Sequence, residues 1–139
     1  MANMYMEIVT PETMLWQGDV RIVTGPGFLG EFGVLPEHAP LITSLEVGPM
    51  HFVTAEGEEQ WAAVHGGYFE ILDNRITILA QHAELAEKID VERLERSKGR
   101  AEARLQEFSN MSQEDKDVIR AQASLKRALV RQSVSTRRK

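Results

Sequence analysis

The chain contains no cysteine, so it has neither a disulfide framework nor a thiolate zinc site, and no cysteine nucleophile. It also lacks any apolar run near the roughly 20 residues that span a bilayer. Its first residues, Met-Ala-Asn-Met-Tyr-Met-Glu, have no basic stretch followed by an apolar one. They are too acidic for a transit peptide, so no targeting segment is expected there. Positive charge is nearly missing from the first part of the chain. Residues 1–83 hold eleven acids against Arg21 and Arg75 alone, a net −9, whereas residues 84–139 carry +4 within the overall −5. All five prolines, nine of the ten glycines and every aromatic except Phe108 also fall in the first part. A composition divided this sharply marks two units of different architecture, 1–84 and 85–139.

The first unit has the punctuation of an all-β domain. Tyr5 to Val9 alternates and stops at Pro11, with Leu15 and Trp16 as core candidates and Gly18-Asp19 as a turn. Val20 to Thr24 reads as a strand with Val20, Ile22 and Thr24 on one face. Leu41–Val47 and Met50–Ala55 follow on either side of Gly48-Pro49, and Glu56-Gly57-Glu58-Glu59 forms an exposed hairpin tip. Gln60–His65 returns from that tip to Gly66-Gly67, and Tyr68–Leu72 with Arg75–Ala80 forms a hairpin across Asp73-Asn74. Seven or more short strands with no helical period between them close naturally as a β-sandwich or flattened barrel.

From Glu84 the period changes. Asp90 is a candidate N-cap for a helix starting at Val91, with Val91, Leu94, Ala101, Leu105 and Phe108 as its apolar stripe. Ser109-Asn110-Met111 breaks that stripe. Ser112 and Asp115 resemble a capping box for a second helix running to about Gln132, with Val118, Ala121, Leu125, Ala128 and Leu129 inward. The fold class expected is therefore an N-terminal β-sandwich followed by a C-terminal two-helix antiparallel hairpin. Alanine-rich seams bury little area, and isolated helices of this length are marginal, so the hairpin should leave the sandwich at low cost.

Chemistry is sparse. His38, His51, His65 and His82 share no metal-ligand spacing and read as surface or strand residues, so no metal site is expected. There is no Gly-x-Ser-x-Gly elbow. Gly25-Pro26-Gly27-Phe28-Leu29-Gly30 matches a dinucleotide pattern letter for letter, but Gly33, Pro36 and Pro40 follow where that pattern needs a helix. A turn is the better reading, and the chain reads as non-catalytic by itself.

The two informative stretches lie elsewhere. Gly30 to Ser44 combines Gly30, Gly33, Pro36 and Pro40 with apolar Phe32, Val34, Leu35, Leu41 and Ile42, which are expected to be buried. It carries Glu31, Glu37 and His38 between them, which suits a rigid loop offering a carboxylate and an imidazole to a partner protein. At the other end, the bases from Lys116 onward outnumber the acids by eight to one, with Lys126, Arg127 and Arg131 at helical spacing. A solvated basic face, nucleic acid and an acidic protein surface are the three readings of such a tail. The −9 on the sandwich disfavours nucleic acid.

Gly30-Glu31-Phe32-Gly33-Val34-Leu35-Pro36-x-His38-Ala39-Pro40-Leu41, with Gly66-Gly67-Tyr68-Phe69-Glu70 and Ile76-Thr77-Ile78-Leu79-Ala80, resembles the epsilon subunit family of F-type ATP synthases over nearly the whole chain. The resemblance implies a non-catalytic subunit of the rotating central stalk. It implies a sandwich docked on the gamma subunit and the c-ring, with Glu31 near the c-ring and His38 near gamma. It implies membrane contact only through the c-ring, at the cytoplasmic face of the bacterial inner membrane. Extended, the helices would reach the alpha and beta catalytic subunits and impede ATP hydrolysis, with Lys126, Arg127, Arg131, Arg137 and Arg138 as the inhibitory basic tail. No cofactor is required. Regulatory ATP is the one ligand implied, through Glu84, Ile89, Asp90, Arg93, Arg127 and Arg131. Leu94 stands where that motif has alanine and would crowd such a site. The alternative is a free-standing β-sandwich binding module that dimerises through its helical tail.

Overall fold

Met4, Met6 and Ile8 alternate with half-exposed neighbours in β1 (Met4–Val9), and all three are fully buried. This two-residue period sets the inner face of the first unit. The computed structural model describes residues 3–107 and 116–137. It continues with β2 (Met14–Gly27), β3 (Gly30–Val34), β4 (Leu41–Thr54), β5 (Glu59–Leu72), β6 (Arg75–Ala80) and β7 (Ala83–Leu85). A 3-10 turn (Ala86–Lys88) leads to α1 (Val91–Glu107) and α2 (Lys116–Ser135).

The strands close on themselves. β1 pairs antiparallel with β2 and parallel with β6, and the path runs on through β5 and β4 back to β2. β3 attaches to β2, and β7 to β5. The ring leaves no long unpaired edge among its five strands. Its interior holds Met4, Met6, Ile8, Val20, Val23, Met50, Phe52, Phe69, Ile71, Ile76 and Ile78, all fully buried. Leu15, Trp16 and Phe32 pack against them, with Trp16 tilted on Phe52 and Phe32 edge-on to Phe69.

The strands are longer than the turn residues suggest. Gly18-Asp19, Gly48-Pro49 and Gly66-Gly67 are not turns but lie inside β2, β4 and β5. At Gly48 and Gly67 a neighbouring strand comes close, through Pro26 of β2 and Leu79 of β6. A Cβ on Gly67 would sit 2.0 Å from the carbonyl oxygen of Leu79, and its φ is +123°. Only glycine fits there. At this point β5 changes partner, pairing with β7 through Ala62–Val64 and with β6 from Gly67 onward. In β2 the expected face is overturned between Val20 and Ile22. Their β4 partners are consecutive, Thr54 and Val53, so two residues of β2 advance against one. That bulge turns Val23 inward, leaving Ile22 half-buried.

The Gly30–Ser44 stretch also divides differently. Gly30–Val34 is strand and Val34 is buried, but Leu35 and Ile42 are exposed. Glu37 takes a left-handed φ of 69° and is gripped by the β5–β6 turn. Its N–H donates to Asn74 Oδ1 at 2.7 Å, and Asn74 Nδ2 donates to its carboxylate at 2.9 Å.

Candidate functional site between the sandwich and the helical hairpin

Trp61, Ala63 and His65 alternate along β5 on the face opposite Ala62 and Val64, which point into the ring. Across the strand pair they meet His51, Pro49 and Val47 of β4. This outer face carries the hairpin. Asp90 caps α1 as expected, accepting a hydrogen bond from the Arg93 N–H at 3.1 Å. α2 extends one turn beyond the sequence expectation, to Ser135. The helices run antiparallel, with Lys98 Nζ donating to Gln132 Oε1 at 3.1 Å.

The seam is narrow. Leu94, Ala101, Val118, Ala121 and Ala128 are buried as their spacing requires, whereas Leu105 and Leu125 are half-buried. Val91 and Leu129 are exposed, against expectation, because the alanine-lined contact is too thin to cover them. Phe108 and the Ser112/Asp115 capping box lie outside the described residues. Where the hairpin meets the sandwich, Ile89, Leu94 and Val134 join Ala63, Ala86 and Ala128. Trp61 and Val130 complete the cluster at its edge.

Beside that cluster lies a cleft of about 490 Å³ whose walls include His65, His82, Ser97, Ser124, Arg127 and Arg131. Glu84 holds α2 at its edge. Arg131 Nε lies 2.8 Å from Glu84 Oε1, and Arg131 Nη2 donates to Glu84 Oε2 at 3.2 Å. The first contact is poorly aligned as a hydrogen bond and acts through charge. Both side chains are largely shielded from water, 15% and 18% exposed, so the pair is screened less than a surface ion pair. Glu84 Oε1 also lies 3.2 Å from His82 Nε2. The rings of His82 and His65 are 5.1 Å apart, and His65 Nε2 is buried without a hydrogen-bond partner. Burial, reinforced by the neighbouring His82, lowers the His65 pKa to about 4 from its ordinary 6.5. Glu84 opposes that shift, and Arg131 and Arg127 add to it.

The structure thus brings Glu84, Arg127 and Arg131 together, Arg127 exposed on the cleft wall. Ile89 does not enter the cleft but is buried in the hairpin cluster, and Asp90 is engaged as a cap. Arg93 is exposed at the start of α1, one turn before Ser97. Leu94 is buried in the seam and lies outside the cleft lining. His65, His82, Ser97 and Ser124 were not singled out by sequence. The alternation Trp61-Ala63-His65 marks His65 as outward-facing, but nothing in the strand itself tells what covers that face.

The remaining candidates are dispersed. Glu31 is exposed at the β2–β3 tip beside Phe28 and Leu29, which are 69% and 95% exposed. His38 is half-buried in the turn after Pro36, its Nδ1 2.6 Å from the Ala39 carbonyl oxygen. Lys126 is exposed. Arg137 stacks over Trp61 at 4.2 Å, in a recess also lined by Glu58, Glu59 and Glu87. Arg138 lies outside the described residues. Among the described residues there is no cluster able to hold a metal ion, and no helix is long and apolar enough to cross a membrane.

A closed β-ring carrying a short helical hairpin on one outer face defines a two-unit chain whose second unit packs as a layer on the first. Residues 3–86 match the beta-sandwich domain of the ATP synthase delta/epsilon chain, and residues 87–135 match its long alpha-helix domain. The chain belongs to the ATP synthase delta/epsilon chain family. It is 43% identical over 132 residues to the ATP synthase epsilon chain of Nitratidesulfovibrio vulgaris, covering 95% of each chain. It is 42% identical to that of Geobacter sulfurreducens, covering 94% of this chain and 91% of the relative. Its fold is similar to a chain in the mitochondrial ATP synthase of Euglena gracilis, with TM-score 0.79 and 21% identity over 96% of this chain and 81% of that one. A chain of the Tetrahymena thermophila mitochondrial ATP synthase central stalk and c-ring aligns with TM-score 0.60 and 12% identity, over 96% and 97% of the two chains.

Proposed function

We propose that this chain is the epsilon subunit of a bacterial F-type ATP synthase, a non-catalytic rotor subunit whose helical hairpin regulates ATP hydrolysis. Full-length similarity to bacterial epsilon chains supports the subunit assignment. The sandwich docks on the gamma subunit and the c-ring, and through the c-ring alone it meets the membrane, at the cytoplasmic face. Glu31, on a tip with exposed Phe28 and Leu29, suits the c-ring contact. His38, in a turn pinned by the Glu37–Asn74 hydrogen bonds, suits the contact with gamma.

The observation that carries the regulatory part is the thinness of the hairpin's attachment. Three buried branched side chains, three alanines, the edge contacts of Trp61 and Val130, the Arg137 stack on Trp61 and one shielded ion pair join α1 and α2 to the sandwich. Released, two helices of about 20 residues laid end to end reach on the order of 60 Å. Lys126, Arg127, Arg131, Arg137 and Arg138 would then meet an acidic surface on the alpha and beta subunits. Deleting the chain from Asp90 onward should raise ATP hydrolysis by the assembled complex. An unchanged rate would leave the subunit with coupling alone.

Regulatory ATP is proposed for the compact state. The cleft offers two arginines from one face of α2, and the planar guanidinium suits phosphate. Arg127 is open to it, while Arg131 would have to share its charge with Glu84. Ile89 and Asp90 serve by shaping the start of α1. A ligand that binds only the docked hairpin stabilises that state. Titration with millimolar ATP should raise the melting temperature of the isolated chain; no heat of binding and no shift would remove ATP from the account.

A further inference from the structure

His65 is the least expected side chain on the docking face. Trp61 and Ala63, which precede it at the same alternation, make the apolar contact with the hairpin, but His65 brings an imidazole into the contact's polar margin. Its Nε2 is buried with no partner. The groups around it come from every neighbouring element. β4 contributes Glu46 at the cleft wall, the segment after β6 contributes His82, β7 contributes Glu84, and α2 contributes Arg127 and Arg131. On α1 the cleft residue is the neutral Ser97, with Lys98 next to it turned to Gln132 of α2 and to Glu102. Among the described residues the carboxylate bonded within this cluster is Glu84, which already serves both Arg131 and His82. A proton on His65 therefore arrives where two arginines and a second imidazole stand, and where the shielded carboxylate, Glu84, is already engaged, while Glu46 is exposed to solvent.

We propose that His65 and its neighbours form a proton-operated latch, in which protonation of His65 drives α2 off the sandwich. When α2 leaves, Arg127 and Arg131 go with it and water reaches the imidazole. The charged ring is then tolerated in the released state and not in the docked one. Acid thus releases the hairpin, and neutral or alkaline conditions hold it. The sign follows from linkage. A histidine depressed in the docked state favours docking fully above its ordinary pKa of 6.5, and that contribution fades as pH falls toward about 4. With an ordinary imidazole in the released state, docking weakens by about 30-fold at pH 5 relative to pH 8.

The inference builds on the reading of α2 as a movable element but not on nucleotide binding, so its test is made without nucleotide. Hydrogen exchange of the full chain, corrected for the intrinsic pH dependence of amide exchange, compares α2 with the β5–β6 ladder at pH 8 and pH 5. The expected result is a loss of protection of about 30-fold confined to the helices. In His65→Gln, a neutral side chain that cannot take the proton, helix protection should no longer depend on pH in this range. Equal protection of α2 at both pH values overturns the latch, and so does an unaltered pH dependence in the variant. Should His65→Gln fail to dock, the ring resonances of His65 in the unsubstituted chain decide. Titration well below the ordinary range supports the latch, and titration near 6.5 with α2 docked overturns it. Failure of ATP to bind in the separate titration leaves each of these outcomes readable.

Discussion

Leu94→Ala tests whether the hairpin is a layer that can lift off. Leu94 is fully buried, and with Ile89 and Val134 it is one of three buried branched side chains in the cluster joining hairpin to sandwich, Val130 being half-buried at its edge. At roughly 1.5–3 kcal/mol for each such side chain buried, the three together contribute on the order of 5–9 kcal/mol before the entropy of ordering two helices is set against them. Truncating a leucine in a packed core costs about 2.7–5 kcal/mol. The exposed Val91 and Leu129 show a loosely covered seam that can partly collapse, so the loss belongs at about the lower end, near 3 kcal/mol. That is a shift of roughly 100-fold in the docking equilibrium. None of the side chains filling the ring interior touches this change. Hydrogen exchange should therefore show α1 and α2 losing protection while the β5–β6 ladder keeps it, and urea unfolding should separate into helix and sandwich transitions. One cooperative transition, lowered equally for helices and strands, would mean that the hairpin is integral to the fold and the argument from a thin seam is wrong.

Three other outcomes follow from particular contacts. Gly67→Ala should destabilise the sandwich itself by about 3 kcal/mol or more, because its Cβ would lie 2.0 Å from the Leu79 carbonyl oxygen; a melting temperature within a degree or two of the parent would contradict the close approach. Glu84→Gln leaves Arg131 and its neighbours without their shared carboxylate and should raise helix exchange rates without changing the strands, as the same exchange experiment would reveal. Asp90→Ala removes the side-chain cap of α1, costing about 1 kcal/mol and fraying its first turn; helical circular dichroism near the start of melting checks it, and an unchanged curve would show the cap to be idle.

The sequence was legible where a rule is local. Alternation marked Tyr5 to Val9, which is strand, Asp73-Asn74 made its turn, and Asp90 capped its helix. It failed where glycine and proline act through distant chain. Gly66-Gly67 reads as a break between strands, but both lie inside β5 with positive φ, and at Gly67 the requirement comes from Leu79 and Ala80 of β6 pressing on it. The β2 bulge has no local mark, since Val20, Ile22 and Val23 are all good strand residues and only pairing with Val53 and Thr54 selects the face. The site divides the same way. Arg127 and Arg131 share a helix face at four-residue spacing, visible in the chain. Their meeting with His65 and Glu84 depends on where α2 settles on β5, which the alanine seam permits without announcing.

Arg131 is where the two proposed states of the hairpin exclude each other. In the docked state its charge is held by Glu84 within a largely shielded pair, and Arg137 lies over Trp61 beside Glu58, Glu59 and Glu87. The sandwich thus offers the basic helix a carboxylate and an acidic recess of its own, the same chemistry an acidic partner surface would offer it when extended. The −9 of the first unit is then a competing ligand as well as a surface charge. Removing one internal partner should favour extension, and removing a basic residue of α2 should weaken both states at once. A single arginine that serves both ends of the equilibrium cannot be assigned to inhibition alone. Comparing Glu84→Gln with Arg131→Gln in the assembled complex separates the two contributions. The first should strengthen inhibition of ATP hydrolysis, the second should relieve it, and the same change in rate from both would sink the competition argument.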